Sequence, residues 1–211
     1  MSGTHDHDHD ADAHAAIEEQ GVDLNFLMLE MAVRELLVEK GVFSAEDVMR
    51  QIEDMDSRVP MAGQQLVARF WTEPDFRKQA LADGKAAAQA MGIDMSVAPA
   101  LVVLENTPKV HHVVVCTLCS CYPRAVLGIP PVWYKSKDYR ARVVREPRAV
   151  LEEFGLNLPS DVEIRVVDST ADMRYLVVPM RPAGTDTLSA EQLADLVTRD
   201  SMVGVAQAKA P

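Results

Sequence analysis

Residues 100–122 read ALVVLENTPKVHHVVVCTLCSCY, and this stretch combines two short β-branched runs with every cysteine of the chain. The runs Ala100–Leu104 and His111–Val115 predict two strands, and Asn106–Lys109 predicts the turn between them. The second strand leads directly into the cysteines, which are Cys116, Cys119 and Cys121. The sequence therefore predicts a sheet with a cluster of thiols at the end of one strand.

Helical patterns precede this stretch. Leu24–Lys40 has apolar residues near the 3.6-residue period and is followed by Gly41, which predicts a helix with a defined end. Ser44 and Asp47 have the spacing of a capping box, with Asp in place of the usual Glu, so a second helix begins there. Three further helices are predicted at residues 64–71, 73–81 and 84–91.

Helices and strands are mixed after the cysteines. Residues 138–154 have a helical pattern that Pro147 should end or kink near residue 146. Val162–Val167 and Arg174–Val178 predict a second pair of strands, and residues 189–197 predict a last helix capped by Ser189. The predicted class is α+β, with a helical N-terminal arm followed by a layered α-β-β-α domain.

The chain is predicted to consist of four segments. Residues 1–20 form a His/Asp-rich tail that we expect to be disordered, although its histidines also allow a transient divalent-metal site. Residues 21–95 form the helical arm, residues 96–206 the metal-binding α+β domain, and residues 207–211 a short second tail.

Composition excludes several classes of function. The chain of 211 residues has 21 basic and 32 acidic residues, for a net charge of −11, so a nucleic-acid partner is not expected. No apolar run reaches the roughly 18 residues of a membrane helix. The N-terminal residues lack the layout of a signal peptide, so we expect a cytoplasmic protein.

The three cysteines occur as C-x-x-C-x-C, an odd number that excludes a disulfide scaffold. Thiolates in this spacing can converge on zinc, iron or cobalt. A structural zinc site would need a fourth ligand, and strand geometry leaves His111 and His112 roughly 12 to 16 Å from Cys116. A structural metal-binding interaction module is the non-enzymatic alternative.

The close spacing also allows a different metal. The peptide nitrogens of Ser120 and Cys121 lie beside the thiols, and a strongly Lewis-acidic trivalent ion could bind both as deprotonated amides. Three sulfurs and two nitrogens leave one octahedral position open for water or substrate, which is the mark of a catalytic metal.

The motif CTLCSC at residues 116–121 resembles the metal-binding motif of the nitrile hydratase α subunit. The resemblance extends from about residue 25 to residue 206. Besides the motif, it rests on the segments at residues 127–135, 139–148, 181–185 and 197–202. The resemblance implies one cobalt(III) per chain, with iron(III) less favoured, and Thr117 is the residue typical of the cobalt group. It also implies that Cys116 stays a thiolate while Cys119 becomes a sulfinic acid and Cys121 a sulfenic acid.

The same resemblance implies a reaction and partners. The reaction is hydration of a small nitrile to an amide at a Lewis-acidic metal, with the Cys121 sulfenate oxygen as nucleophile or base. Ser120 would contribute its backbone nitrogen and a side-chain hydrogen bond. The implied partners are a β subunit, as one chain or as two smaller chains, in a heterodimer or heterotetramer, and a metallochaperone or activator. Two β-subunit arginines would bind the oxidised sulfurs, and we interpret Arg140, Arg142, Arg145 and Arg148 as a subunit-facing patch.

Two departures from the family pattern favour an alternative. Residues 93–100 lack a Gln that many nitrile hydratase α subunits carry, and Arg124 stands where many cobalt members have Trp. Together with the His/Asp tail, both features resemble the γ subunit of thiocyanate hydrolase, which converts thiocyanate to carbonyl sulfide and ammonia. Residues 181–185 and 129–131 are closer to nitrile hydratase.

Overall fold

The computed structural model describes residues 24–57 and 59–211, so the predictions for the tail at residues 1–20 lie outside the described residues. The helices in the described part are α1 (Leu24–Glu39), α2 (Ala45–Ser57), α3 (Met61–Thr72), α4 (Pro74–Ala82), α5 (Gly84–Ala90), α6 (Arg124–Leu127), α7 (Val132–Lys135), α8 (Lys137–Arg145), α9 (Pro147–Glu153), α10 (Ala190–Asp195) and α11 (Arg199–Val203). The strands are β1 (Ala100–Glu105), β2 (Val110–Val115), β3 (Glu163–Asp168) and β4 (Met173–Val178). These elements confirm the α+β class. None of the described helices is both long and apolar enough to cross a membrane.

Helix boundaries follow the capping signals of the sequence. At the start of α2, the Ser44 backbone N–H donates to Asp47 Oδ2 (2.9 Å) and the Asp47 N–H donates to Ser44 Oγ (3.0 Å). This is the predicted capping box, because each side chain accepts an N–H that the helix itself cannot satisfy. The predicted break at Pro147 is also confirmed, since α8 ends at Arg145 and α9 begins at Pro147.

Strands β1 and β2, which follow one another in the chain, do not pair with each other, and neither do β3 and β4. β1 pairs in parallel with β4, starting with Ala100 opposite Met173, and β2 pairs in parallel with β3, ending with Val115 opposite Asp168. The strand positions were predicted correctly, but the grouping of β1 with β2 and of β3 with β4 is wrong. Two parallel strands need a long crossover connection, which the helices α6–α9 supply between β2 and β3.

Asn106 lies at the point where the chain leaves β1, and it contacts both sheets. Its backbone N–H donates to the carbonyl oxygen of Val178 (2.9 Å), so the chain still follows β4 at this point. Its side-chain Oδ1 accepts the backbone N–H of His112 (2.7 Å), which lies on β2. The buried Asn106 side chain therefore links the two sheets just after the chain leaves β1.

The helices that precede the sheet share one buried core with it. Leu66 and Phe70 of α3 and Phe76 of α4 are buried together with Val113 of β2 and Leu176 of β4. The helices α4 and α5 pack against β1, α9 packs against β3, and α11 packs against β4. The predicted division between residues 95 and 96 stays a prediction.

The short helices α6, α7 and α11 were not predicted from the sequence, and α11 has its own start and stop signals. Thr198 and Ser201 form a capping box at its start, and Gly204 ends it with a left-handed φ of 93°. A Cβ at position 204 would overlap the carbonyl oxygen of His112, so only glycine lets the chain approach β2 so closely. This contact places the C-terminal segment against the strand that leads to the cysteines.

Candidate metal centre

The three cysteine sulfurs lie together just beyond the end of β2. Cys116 Sγ is 3.5 Å from Cys119 Sγ, Cys119 Sγ is 3.2 Å from Cys121 Sγ, and all three sulfurs lie within 4.8 Å of one another. Two sulfurs bound at about 2.3 Å to one metal are about 3.3 Å apart at a right angle and about 3.8 Å apart at a tetrahedral angle. The 3.2 Å separation between Cys119 and Cys121 suits neighbouring ligands of an octahedral ion, whereas the 3.5 Å separation between Cys116 and Cys119 lies between the two values.

The loop that carries the thiols is fixed at its start by a carboxylate. Asp168 accepts the backbone N–H of Thr117 at Oδ1 (3.0 Å) and the Thr117 hydroxyl at Oδ2 (2.6 Å). The parallel register places Asp168 opposite Val115, two residues before Thr117. Pairing of β2 with β3 therefore delivers the carboxylate to the first residues of the loop.

Two side chains hold the carbonyl oxygens of the other two cysteines. Arg140 Nη1 donates to the carbonyl of Cys119 (3.2 Å), and the Tyr134 hydroxyl donates to the carbonyl of Cys121 (2.8 Å). Between them lies Ser120, whose φ of 127° makes it the one non-glycine among the described residues with a positive φ. Such a conformation is strained for an L-residue and persists only where its surroundings impose it.

The pKa values of two of the thiols are shifted in opposite directions. Burial acts to raise the pKa of Cys116, but hydrogen bonds from the backbone N–H groups of Ser120, Cys119 and Cys121 outweigh burial and lower this pKa to about 6. Burial, with hydrogen bonds to the side chains of Cys119 and Cys116, raises the pKa of Cys121 to about 12. The backbone donors thus favour a thiolate at Cys116, which is the form that binds metals.

Within residues 24–57 and 59–211, no fourth protein ligand of the zinc type lies near the thiols. Among the described residues, the group of side chains able to hold a metal consists of the three cysteines alone. His111 accepts from Asn106 Nδ2 at Nδ1 (3.0 Å) and donates from Nε2 to the Gly204 carbonyl (2.7 Å). His112 Nδ1 bonds to Asn106 Oδ1 (3.2 Å), so both buried histidines have structural partners.

A cavity of about 430 Å³ opens beside the cysteine loop. Its wall includes Cys119, Ser120 and Cys121, so the two cysteines expected to be modified are reached from this space. Arg124 and Arg174 also line the cavity. Arg174 Nη1 donates to the Thr170 carbonyl, and its positive charge acts to lower the pKa of Cys121.

The thiols were predicted from the sequence, whereas the contacts that hold the loop were not. The predicted residues Cys116, Cys119, Ser120 and Cys121 are brought together, and Thr117 lies beside them on Asp168. Tyr134 and Arg140 come from α7 and α8, and no local spacing signal connects them with the motif. Three arginines of the predicted partner-facing patch bind groups of their own chain. Arg140 donates to the carbonyl of Cys119, and Arg142 donates to the carboxylates of Glu146 and Glu153. Arg148 donates to the carbonyls of Leu158, Pro159 and Val162.

Comparison with known proteins identifies close relatives. The family model for the nitrile hydratase α chain matches residues 25–206. The chain is 48% identical over 196 residues to the γ subunit of thiocyanate hydrolase from Thiobacillus thioparus, covering 88% of this chain and 81% of that one. It is 50% identical over 181 residues to the α subunit of the cobalt-containing nitrile hydratase from Pseudonocardia thermophila, covering 85% and 89% respectively.

Solved structures give the same result. A recombinant thiocyanate hydrolase with partially modified cobalt centres matches with a TM-score of 0.82 and 48% identity, covering 90% of this chain and 92% of that one. A double mutant of the iron-type nitrile hydratase from Comamonas testosteroni Ni1 matches with a TM-score of 0.84 and 41% identity, covering 90% and 94%. The fold, the thiol cluster and these similarities lead to one conclusion: the chain belongs to the nitrile hydratase α-chain family and is an enzyme subunit.

Proposed function

We propose that this chain is the α subunit of a cobalt-type nitrile hydratase, which hydrates small nitriles to amides. The observation that carries the proposal is the set of three sulfurs within 4.8 Å of one another at the wall of a cavity of about 430 Å³. Such a cavity can admit a small nitrile next to the thiols. Similarity to cobalt-containing nitrile hydratases supports the assignment of the metal.

The chain offers five ligand atoms. The sulfurs of Cys116, Cys119 and Cys121 and the backbone nitrogens of Ser120 and Cys121 would hold one cobalt(III) per chain, with iron(III) less favoured. When bound, the trivalent ion supplies a Lewis acid. The separations between the sulfurs fit this donor set, as does the convergence of the backbone N–H groups on Cys116.

Access from solvent supports the proposed oxidation pattern. Cys116 is buried, Cys119 is exposed and Cys121 is intermediate. Oxidation of a thiol requires access to the oxidant, so the buried Cys116 would remain a thiolate. Cys119 would become the sulfinic acid and Cys121 the sulfenic acid.

The catalytic roles fall to Cys121 and Ser120, which both line the cavity. The sulfenate oxygen of Cys121 would either take a proton from a water that attacks the nitrile carbon, or attack that carbon itself. In the second case water would then restore the sulfenate oxygen as the S–O bond breaks and the amide leaves. Ser120 contributes a backbone nitrogen, and its hydroxyl can orient the attacking group by a hydrogen bond. Water is consumed and a C=O bond replaces two bonds of the nitrile C≡N, so the product is the amide.

Helix α1 supports the proposal of a partner subunit. None of its residues is buried within this chain, and Phe26 and Met28 are 71% and 69% exposed. An exposed apolar patch of this kind marks an interaction site. We propose that a β subunit, as one chain or two smaller chains, covers α1 in a heterodimer or heterotetramer, after an activator has loaded the metal. We place the enzyme in the cytoplasm, where reducing conditions would keep the three thiols available until the metal binds.

The first test is the content of metal and oxygen in the purified complex. We expect about one cobalt per chain, with mass spectrometry showing two added oxygens on Cys119 and one on Cys121. The substitution Cys119→Ala should remove cobalt and activity together, because it deletes a ligand. Purified protein that holds zinc with three unmodified thiols would reject the proposal in favour of a structural metal module.

Thiocyanate hydrolysis is the second candidate, and the charge of the cavity favours it. Arg124 and Arg174 line the same space as Cys121 and outnumber the one carboxylate in that lining, Asp94, so the net positive charge would attract an anionic C≡N substrate. The complex should therefore be supplied with acrylonitrile and with thiocyanate in parallel. Amide without ammonia supports nitrile hydratase, whereas carbonyl sulfide with ammonia assigns the chain to the thiocyanate hydrolase group.

A further inference from the structure

We propose that Arg140 and Tyr134 are positioning residues that hold the Cys119–Ser120–Cys121 backbone in its metal-binding conformation. This inference rests on the proposed function only in taking the thiol cluster to be the metal site. Arg140 and Tyr134 do not touch the sulfurs in the described contacts. They act through the carbonyl oxygens of the residues that carry those sulfurs.

The planarity of the peptide bond explains how a held carbonyl positions a nitrogen. The carbonyl oxygen of Cys119 and the N–H of Ser120 belong to one rigid plane and point in opposite directions. Arg140 Nη1 holds that oxygen at 3.2 Å, so it also sets the direction of the Ser120 nitrogen. The Tyr134 hydroxyl holds the carbonyl oxygen of Cys121, two residues after Cys119, at 2.8 Å. The two contacts therefore bracket the peptide between Ser120 and Cys121.

The peptide between Ser120 and Cys121 would not keep its conformation without these two contacts. Ser120 has a φ of 127°, and a serine released from its surroundings would relax to a negative φ. In the present conformation the N–H of Cys119 donates to the Cys116 sulfur (3.3 Å), and the three cysteine sulfurs lie within 4.8 Å of one another. Relaxation of Ser120 would turn two of the proposed ligand nitrogens away from the cluster.

Tyr134 and the helix that carries Arg140 are both fixed by contacts of buried side chains. The Tyr134 side chain is fully buried, and its ring packs edge-on against Tyr122 (5.0 Å between centroids) and Trp133 (5.9 Å). Arg140 follows Tyr139, whose hydroxyl donates to the carbonyl of Val114 (2.7 Å) on β2. Helix α8 is thus tied to the same strand that carries Cys116.

Arg140 also differs from its neighbours on α8. Arg142 forms ion pairs with Glu146 (2.7 Å) and Glu153. Within the described part of the chain, no carboxylate forms an ion pair with Arg140, and its side chain contacts the cysteine loop instead. A partly buried arginine without a carboxylate partner is better explained by its contact with the loop than by stabilisation of its own helix.

The test uses the full chain without metal, so that activity plays no part. Hydrogen–deuterium exchange of the peptide covering residues 117–122 should be compared among wild type, Arg140→Met, Arg140→Lys and Tyr134→Phe. Arg145→Met on the same helix is the matched control, because Arg145 is exposed. We expect exchange at Ser120 and Cys121 to accelerate about tenfold in Arg140→Met and Tyr134→Phe, since a local opening becomes easier. Arg140→Lys should restore part of the protection, and the control should match wild type.

A second measurement links the loop to the metal. At limiting cobalt, the variants that exchange faster should hold several-fold less cobalt and show a weaker sulfur-to-cobalt charge-transfer band. Unchanged exchange in both Arg140→Met and Tyr134→Phe would overturn the inference. If exchange accelerates as expected but wild type binds no cobalt, the positioning roles stand and the proposed function fails. If Arg140→Met does not fold, Arg140→Lys and Tyr134→Phe decide the question.

Discussion

Asp168 accepts two hydrogen bonds from Thr117, one from its backbone N–H (3.0 Å) and one from its hydroxyl (2.6 Å). The two residues are 51 positions apart and meet because β3 lies beside β2 in parallel. This contact fixes the first turn of the cysteine loop from one side, while Tyr134 and Arg140 hold it from the other.

Removal of the Asp168 carboxylate should loosen the loop without unfolding the chain. In Asp168→Ala both donors of Thr117 lose their acceptor, but the site is exposed, so water can replace it. We expect a loss of about 1 kcal/mol in the free energy of unfolding and several-fold lower cobalt content. Denaturant unfolding and metal analysis of the purified complex measure the two effects. Retention of the full cobalt content would show that the loop does not depend on this contact.

Substitution of Thr117 by serine tests its proposed influence on the choice of metal. A serine hydroxyl can make the same bond to Asp168, so the free energy of unfolding should change by less than about 0.5 kcal/mol. The lost methyl group relaxes the restricted side-chain rotation. We expect Thr117→Ser to take up more iron and less cobalt than wild type when both metals are supplied equally. The same cobalt-to-iron ratio in both proteins would refute the assignment of Thr117.

The buried His111 should make stability depend on pH. Burial lowers its pKa, although its bond to the Gly204 carbonyl acts in the opposite direction. The folded state therefore binds fewer protons than the unfolded state, and stability is lost as the pH falls below about 6.5. In His111→Gln, which keeps a donor and an acceptor but does not titrate, the loss between pH 7.5 and 5.5 should be smaller. An equal loss in both proteins would show that the dependence arises elsewhere; His112, whose pKa burial also lowers, is the next candidate.

Polar substitutions on α1 should disrupt assembly and leave the fold of the chain intact. Phe26 and Met28 are 71% and 69% exposed, so Phe26→Asp with Met28→Asp removes little packing from this chain. We expect an unchanged melting temperature of the isolated chain and loss of co-purification with the β subunit. Leu81→Asp on α4, where Leu81 is 42% exposed, is the control for a generally less apolar surface. Undiminished co-purification of the α1 variant would place the subunit interface elsewhere.

Local patterns predicted the elements well because they depend on neighbours in the sequence. The alternation of Val162–Val167 and the capping signals at Ser44 and Ser189 each produced the expected element. The pairing of the strands was not predictable from these patterns, since alternation fixes which face of a strand is buried but not its neighbour. Helix α11 was missed because its five residues are too short to show a period.

The sequence by itself determined the proposed ligand set of this protein: three thiols in C-x-x-C-x-C spacing and two peptide nitrogens between them are close in space for covalent reasons. Only the tertiary structure decided how that motif is held. Parallel pairing of β2 with β3 brings Asp168 to Thr117, and the helices between these strands bring Tyr134 and Arg140 to the carbonyls of the cysteines. The strained φ of Ser120 follows from these distant contacts, because a hexapeptide alone has nothing to oppose its relaxation.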